Sequence, residues 1–147
     1  MTQASVPVVP GRKPNPWWLA VVAIAALVLI AVLFWQRPRT TESLPAEITV
    51  AEAAAMRDKG SFLLDVREPD EWAESHVPGS TLIPLDQLHA RVGELPRAHE
   101  IVVLCRSGNR SKSGRDILIK AGFARVTSMA GGLKAWAAAG QPTVSGS

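Results

Sequence analysis

Apolar residues follow two different patterns along the chain. Trp17 to Trp35 form an unbroken run of nineteen residues with no charge and no polar side-chain group other than the indole N–H. From residue 47 onward, short apolar runs alternate with segments in which apolar residues recur every three or four positions. The first pattern predicts one continuous apolar helix, and the second predicts alternating strands and helices.

The second part of the chain therefore predicts an α/β domain over residues 47–140, with a central parallel sheet flanked by helices. Thr49 and Glu52 form a capping-box pattern at the start of its first helix, and Gly60 follows the end of that helix. The predicted helices cover residues 51–58, 70–74, 86–92 and 133–139, with one more helix between the 105–111 loop and Gly122; the predicted strands cover residues 62–66, 81–83, 101–104 and 124–128.

The apolar run 17–35 predicts a single-pass transmembrane helix that precedes the domain. As a helix it is about 28 Å long, close to the ~30 Å thickness of the hydrocarbon core. Tryptophans at both ends are typical of membrane interfaces. A buried core helix is disfavoured because so small a domain has nothing to cover an entirely apolar circumference. A cleaved signal peptide is the other alternative, but no small-residue cleavage site follows directly, where the chain reads Gln36-Arg37-Pro38-Arg39.

The remaining segments predict a disordered N-terminal tail over residues 1–16, a linker over residues 36–46 and a loose C-terminal tail over residues 141–147. Arg12 and Lys13 nearly balance Arg37 and Arg39 across the apolar run, so the positive-inside rule decides little. A short basic tail before a first helix favours a cytoplasmic N-terminus. We therefore expect a membrane location with the domain on the extracytoplasmic side.

Charge and cysteine content narrow the function classes. The net charge is +3, and residues 43–147 contain twelve Lys/Arg and twelve Asp/Glu, so all of the excess flanks the apolar run. Membrane head groups account for this basicity better than nucleic acid, and no nucleic-acid partner is expected. A single cysteine excludes an intramolecular disulfide and a cysteine-based metal cluster. Because His89 and His99 lack metal-ligand spacing, no metal or cofactor is predicted.

The cysteine lies in the most informative stretch of the chain. A β-branched apolar run, Ile101-Val102-Val103-Leu104, precedes Cys105, and an amphipathic helix follows the loop. A strand, a short loop and a helix N-terminus direct successive backbone N–H groups toward one point, which makes an anion-binding cradle. We expect this cradle and its arginines to stabilise a Cys105 thiolate and an anionic substrate. The predicted catalytic residue is Cys105, and the predicted substrate-binding residues are Arg106, Ser107, Gly108, Asn109, Arg110 and Ser111.

The loop closely resembles the active-site loop of single-domain rhodaneses, the thiosulfate sulfurtransferase family. The resemblance covers about residues 46–140. It implies that Cys105 takes a sulfane sulfur from thiosulfate or a persulfide donor, becomes a persulfide, and passes the sulfur to cyanide, a thiol or another acceptor. Ser75, Ser80 and Leu82 depart from the usual glycine, alanine and asparagine, but they belong to the scaffold. The resemblance is carried by the loop and by Leu64-Asp65-Val66-Arg67-Glu68, Glu71-Trp72, His76-Val77-Pro78-Gly79, Ile83-Pro84-Leu85 and Gly131-Gly132-Leu133-Lys134-Ala135-Trp136.

The resemblance also implies roles for residues outside the loop. Asp65 and Arg67 are expected to brace the active-site region through an ion pair or hydrogen bonds. His76 is expected to be a structural turn residue, because a rhodanese-type loop needs no histidine base. Trp72 and Trp136 are predicted core aromatics.

Two other function classes stay open. Phosphatase or arsenate reductase chemistry uses a similar cradle, but the related families place one more residue between cysteine and arginine, because a tetrahedral oxyanion needs a wider loop. A membrane-tethered binding module or sulfur carrier would keep the cysteine but show little turnover. The partners expected from sequence are a small anionic sulfur donor, an unidentified thiol or protein acceptor, and the membrane.

Overall fold

The computed structural model describes residues 17–35 and 43–146. The chain divides into two compact units, Met1–Thr40 and Thr41–Ser147. The first contains helix α1, Trp17–Trp35, whose bounds match the predicted ones. In residues 17–35 and 43–146, no helix was found with the length and apolar character needed to cross a membrane. The transmembrane assignment of residues 17–35 is therefore not supported.

The second unit is an α/β domain whose strands and helices alternate, as the hydrophobic pattern predicts. A capping box between Thr49 and Glu52 starts its first helix, where the Thr49 side chain accepts from the Glu52 N–H. Along the chain the elements are β1 (Glu47–Ile48), α2 (Val50–Asp58), β2 (Phe62–Asp65), α3 (Pro69–Glu74), β3 (Thr81–Leu82), α4 (Leu85–Arg91), a 3-10 turn (Val92–Glu94), β4 (Ile101–Leu104), α5 (Asn109–Lys120), β5 (Val126–Met129) and α6 (Gly132–Ala138).

The five strands form one parallel sheet in the order β1-β5-β4-β2-β3. Strand β4 lies at the centre and all four of its residues are buried. Its side chains alternate between two cores. Val103 packs in the core that contains Leu88 of α4 and Leu118 of α5, and Val102 packs in the core that contains Ala53 of α2 and Trp136 of α6. Both faces of the sheet are thus covered, as buried parallel sheets require.

The strands predicted over residues 62–66 and 81–83 each end one residue earlier in the structure, and two larger differences concern β1 and β5. Strand β1 was not predicted, because two residues are too short to show a periodic pattern. The strand predicted over residues 124–128 is Val126–Met129 in the structure. It starts two residues later because its pairing with β4 begins at Val126.

The C-terminal segment is not a loose tail. Val144 forms an antiparallel bridge with His76, donating to its carbonyl at 2.9 Å and accepting from its N–H at 2.8 Å. The Trp136 indole N–H donates to the Pro142 carbonyl at 2.9 Å. The prediction for residues 141–146 was wrong because these backbone contacts leave no periodic pattern in the sequence. The predicted N-terminal tail and most of the predicted linker lie outside the described residues, as does the last residue of the chain. These segments are residues 1–16, 36–42 and 147.

Parallel strands place their carboxyl ends at one edge, and three neighbouring strands supply the candidate site there. Strand β4 leads into Cys105, β2 leads into Arg67, and β5 leads into Gly131-Gly132. Open α/β sheets bind ligands at this edge.

Candidate active site

Cys105 follows the last residue of β4 and continues the alternation of that strand. Its side chain belongs to the core that contains Val66, Val103 and Leu118, and the residue is 1% exposed. The Gly108 N–H donates to Cys105 Sγ at 3.0 Å. The sulfur therefore already accepts a hydrogen bond from the loop that follows it, and such a bond favours negative charge on sulfur.

The loop turns sharply at Gly108 and leads into helix α5. Gly108 has φ +101°, a conformation that glycine adopts without strain. The buried Ser111 hydroxyl donates to the Gly108 carbonyl at 2.8 Å, which holds the turn from inside the helix. The first N–H groups of a helix have no partner within it, so those of Asn109 and Arg110 are available to an anion.

The N-terminus of α6 holds the other side of the loop. The Leu133 N–H donates to the Cys105 carbonyl at 2.7 Å, and the Lys134 N–H donates to the Arg106 carbonyl at 3.2 Å. Gly132 permits this approach, since a Cβ there would lie 2.3 Å from the Cys105 carbonyl oxygen and 2.6 Å from the Ser107 nitrogen. The Gly131-Gly132 pair therefore lets α6 bind the loop through its backbone.

Arg110 is held by a carboxylate that the sequence did not assign to the site. Its two terminal nitrogens donate to the two oxygens of Glu71, each at 2.7 Å. This bidentate contact lowers the pKa of Glu71 to about 2, with desolvation opposing it. The Glu71 carboxylate raises the pKa of Arg110, and negative charge on Cys105 acts in the same direction. Direct substrate contact by Arg110 stays a prediction, since a substrate would have to share this guanidinium with Glu71.

Asp65 and Arg67 form a buried ion pair at the end of β2. Arg67 Nη2 donates to Asp65 Oδ2 at 2.7 Å, and its side chain also donates to the carbonyls of Glu71 and Ser75. Arg67 therefore ties the end of β2 to the middle of α3 and to Ser75, the residue that directly follows this helix. The ion pair itself is present, and its role in bracing the active-site region stays a prediction.

The remaining loop side chains differ in exposure. Arg106, Ser107 and Asn109 are exposed, Arg110 is half-buried, and Ser111 is buried. Arg106 lines a cavity of about 550 Å³ beside the loop, together with Leu133 and Lys134. His76 stacks on Trp72 with ring centroids 3.8 Å apart, as suits a structural residue, while Trp72 is half-buried and Trp136 fully buried.

Two kinds of contact escaped sequence reasoning. Glu71 lies 39 positions before Arg110, and its only sequence signal was the Glu71-Trp72 landmark. The amides of Leu133 and Lys134 gave no side-chain signal, because they act through the backbone.

Comparison with protein families agrees with this geometry. The family model described as a rhodanese-like domain matches residues 49–139. The chain belongs to the rhodanese-like family. Within the family, a sulfurtransferase of Allochromatium vinosum is 36% identical over 83 residues, which are 56% of this chain and 78% of that protein. A thiosulfate sulfurtransferase, GlpE of Pseudomonas fluorescens, is 35% identical over 85 residues, which are 58% of this chain and 78% of that protein.

The fold agrees as well. The crystal structure of a rhodanese-related protein of Thermoplasma volcanium is similar with a TM-score of 0.64 and 30% identity. The match covers 68% of this chain and 98% of that one. The predicted α/β rhodanese fold with a central parallel sheet is therefore confirmed.

Proposed function

We propose that this rhodanese-like protein is a sulfurtransferase that carries sulfane sulfur on Cys105. The observation that supports it most directly is the 3.0 Å hydrogen bond from the Gly108 N–H to Cys105 Sγ, at a loop that opens helix α5. A hydrogen-bond donor and a helix N-terminus beside one sulfur favour its negatively charged forms, the thiolate and the persulfide. The relatives named as sulfurtransferases support the same reaction class.

In the proposed first step, the Cys105 thiolate attacks the sulfane sulfur of thiosulfate. A bond forms between Cys105 Sγ and that sulfur, the sulfur–sulfur bond of thiosulfate breaks, and sulfite leaves with the electron pair. The Cys105 persulfide keeps one negative charge and sulfite carries two, so the three charges of the reactants are conserved. A persulfide donor would react in the same way and release a thiolate.

In the second step, a thiolate or cyanide attacks the outer sulfur of the persulfide. The new bond joins the acceptor to that sulfur, and the Cys105 thiolate leaves. Backbone N–H groups of the loop stabilise the charge that returns to Sγ. No cofactor enters either step.

The test is to treat the purified protein with thiosulfate and measure its intact mass. We expect the mass to rise by one sulfur atom at Cys105, and addition of cyanide to remove it with release of thiocyanate over many turnovers. A Cys105→Ser variant should show neither change, while Lys120→Gln, at the far end of α5, should behave as wild type. Sulfur transfer by Cys105→Ser would contradict the proposal.

The same experiment separates the two other classes. A persulfide that forms but is discharged to no small acceptor would favour a sulfur carrier or binding module. Hydrolysis of a phosphate ester without persulfide formation would favour phosphatase chemistry.

We propose separately that residues 17–35 attach the protein to a membrane, with the catalytic domain on the extracytoplasmic side. The support is the uncharged composition of this helix, with exposed apolar side chains such as Trp17, Ile24 and Leu27. We expect the protein to sediment with membranes after alkaline washing, and protease added to intact spheroplasts to digest the domain. Recovery in the soluble fraction would contradict the attachment, and protection from protease would contradict the orientation.

A further inference from the structure

The cavity of about 550 Å³ beside the active-site loop has two walls of opposite charge. Its volume lies in the range of small-molecule pockets. Helix α3 supplies one wall, and the loop together with α6 supplies the other. Arg106 lines the cavity and directly follows Cys105 in the chain, so the cavity borders the active-site loop.

The acidic wall is formed by Asp70 and Glu74. They are four residues apart on α3, so they lie on the same face of the helix. Both are exposed, and within residues 17–35 and 43–146 neither forms an ion pair. Their neighbours Glu71 and Arg67, which also line the cavity, are neutralised by Arg110 and Asp65.

The basic wall is formed by Arg106 and Lys134. The Lys134 N–H donates to the Arg106 carbonyl, which holds the two residues side by side although they are distant in sequence. In the described part of the chain neither side chain is paired with a carboxylate. Two unneutralised cations and two unneutralised carboxylates therefore line one cavity.

We propose that this cavity is the acceptor subsite and that it takes a small thiol carrying both an ammonium and a carboxylate group, of which cysteine is the simplest example. This inference rests on the proposed sulfurtransferase function. The carboxylate of the acceptor lies against Arg106 and Lys134, and its ammonium lies against Asp70 and Glu74. The carboxylates of the acidic wall do not attract a dianionic donor such as thiosulfate. We therefore assign the cavity to the acceptor and the loop amides to the donor.

The transfer at this subsite is a simple exchange. The thiol of the acceptor loses its proton to solvent, and the resulting thiolate attacks the outer sulfur of the Cys105 persulfide. A sulfur–sulfur bond forms in the acceptor, the bond to Cys105 Sγ breaks, and the Cys105 thiolate is regenerated. The acceptor leaves as a persulfide, with no net oxidation.

The test uses the full-length protein loaded with sulfur from thiosulfate and then mixed with one of four thiols. Cysteine carries both charged groups, cysteamine only the ammonium, 3-mercaptopropionate only the carboxylate, and 2-mercaptoethanol neither. Discharge is followed by loss of the added sulfur in the intact mass. The variants are Lys134→Gln and the double variant Asp70→Asn with Glu74→Gln, and the control is Lys120→Gln. Dividing each variant's rate by that of the control cancels the intrinsic reactivity of each thiol.

We expect Lys134→Gln to slow discharge to cysteine and 3-mercaptopropionate about twofold to fivefold, the range for one exposed charge pair, and to leave cysteamine and 2-mercaptoethanol unchanged. The double variant should slow discharge to cysteine and to cysteamine, and it should leave the rates of discharge to 3-mercaptopropionate and 2-mercaptoethanol unchanged. The inference would be overturned if the ratio of the variant's discharge rate to the control's rate were the same for all four thiols. It would also be overturned if a variant slowed discharge to 2-mercaptoethanol as much as discharge to cysteine. Failure to load sulfur at all would instead overturn the proposed function, since loading does not involve the acceptor.

Discussion

Two arginines of the candidate site are held by carboxylates in different environments. Arg67 and Asp65 are 3% and 0% exposed, so neither charge is solvated and each depends on the other. Arg110 and Glu71 are half-buried and partly solvated. Loss of one partner should therefore have very different effects at the two sites.

We expect Arg67→Met to lower the free energy of unfolding by about 3–5 kcal/mol, because it leaves the Asp65 carboxylate buried without a counter-charge. It also removes the donors to the Glu71 and Ser75 carbonyls. Urea denaturation measures the loss. Arg91→Met, which breaks the exposed pair with Glu94, is the control and should unfold close to wild type. Equal effects of the two substitutions would contradict a structural role for the buried pair.

Glu71→Gln should reveal a pH-dependent contribution to stability. The folded-state pKa of about 2 lies below the ordinary value of 4.5, so the contribution is fully present above about pH 5 and disappears as the pH falls toward 2. Near neutral pH we expect the variant to be less stable by about 1 kcal/mol. Denaturation series for both proteins from pH 7 to pH 2 should show the gap closing on the acid side. A gap that stays constant would contradict the assignment to the ionised carboxylate.

Among the elements, helix α6 has the most direct effect on the loop. Its first amides bind the carbonyls of Cys105 and Arg106, so it positions the loop without placing a side chain in the site. Helix α5 approaches the sheet in a similar way, because a Cβ at Gly114 would lie 3.0 Å from Val103 Cγ1 and 3.3 Å from Val66 Cγ1. Helices α5 and α6 therefore each have a glycine, Gly114 and Gly132, at the point of closest contact, where a side chain would not fit.

Gly132→Ala should displace the active-site loop. The added Cβ would lie 2.3 Å from the Cys105 carbonyl oxygen, and backbone atoms cannot yield without moving the loop. We expect persulfide formation from thiosulfate to fall at least about tenfold, which corresponds to about 1.4 kcal/mol of lost transition-state stabilisation. Intact-mass kinetics after thiosulfate addition provide the measurement.

Gly140→Ala is the matched control for this substitution. Gly140 also has a positive φ, +70° against +59° at Gly132, but a Cβ there would meet no atom within 4 Å. It should therefore show the backbone strain of about 1–2 kcal/mol in stability and keep the rate of persulfide formation. Similar losses of rate in both variants would contradict the contact between α6 and the loop.

At the scale of the whole domain, the C-terminal segment closes the structure around α3. Val144 pairs with His76, which follows α3, and the Gly146 N–H donates to the Ala73 carbonyl at 2.9 Å. Helix α3 carries Glu71 and the acidic wall of the cavity. The end of the chain thus supports one side of the site, although it contributes no residue to it.

Val144→Pro should weaken this closure, because proline removes the N–H that donates to the His76 carbonyl. We expect a loss of about 1–2 kcal/mol in the free energy of unfolding and faster hydrogen exchange at the His76 amide. Val144→Thr keeps the backbone amide and the β-branched shape, so its exchange at His76 should match wild type. Unchanged exchange in the proline variant would contradict docking of the segment.

Much of the domain could be predicted from local patterns. Three of the signals each lie within a few consecutive residues, so each reflects the local backbone conformation. They are the capping box at Thr49, the apolar run of β4, and the spacing of Gly114 and Leu118 on α5. The position of Cys105 at a strand end, before a loop and a helix, follows in the same way. The apolar helix 17–35 also has the bounds that its composition predicts, although its membrane-spanning role is not supported.

Other features depended on which distant segments the sheet brings together. The strand order β5-β4-β2 places the amides of α6 on one side of the Cys105 loop and Arg67 on the other, and Glu71 meets Arg110 across 39 positions. The two charged walls of the cavity and the docked C-terminal segment arise from the same packing. The local sequence pattern of an element does not predict such contacts. Each contact depends on how two distant elements are placed relative to each other, and the hydrophobic pattern of either element alone carries no information about its partner.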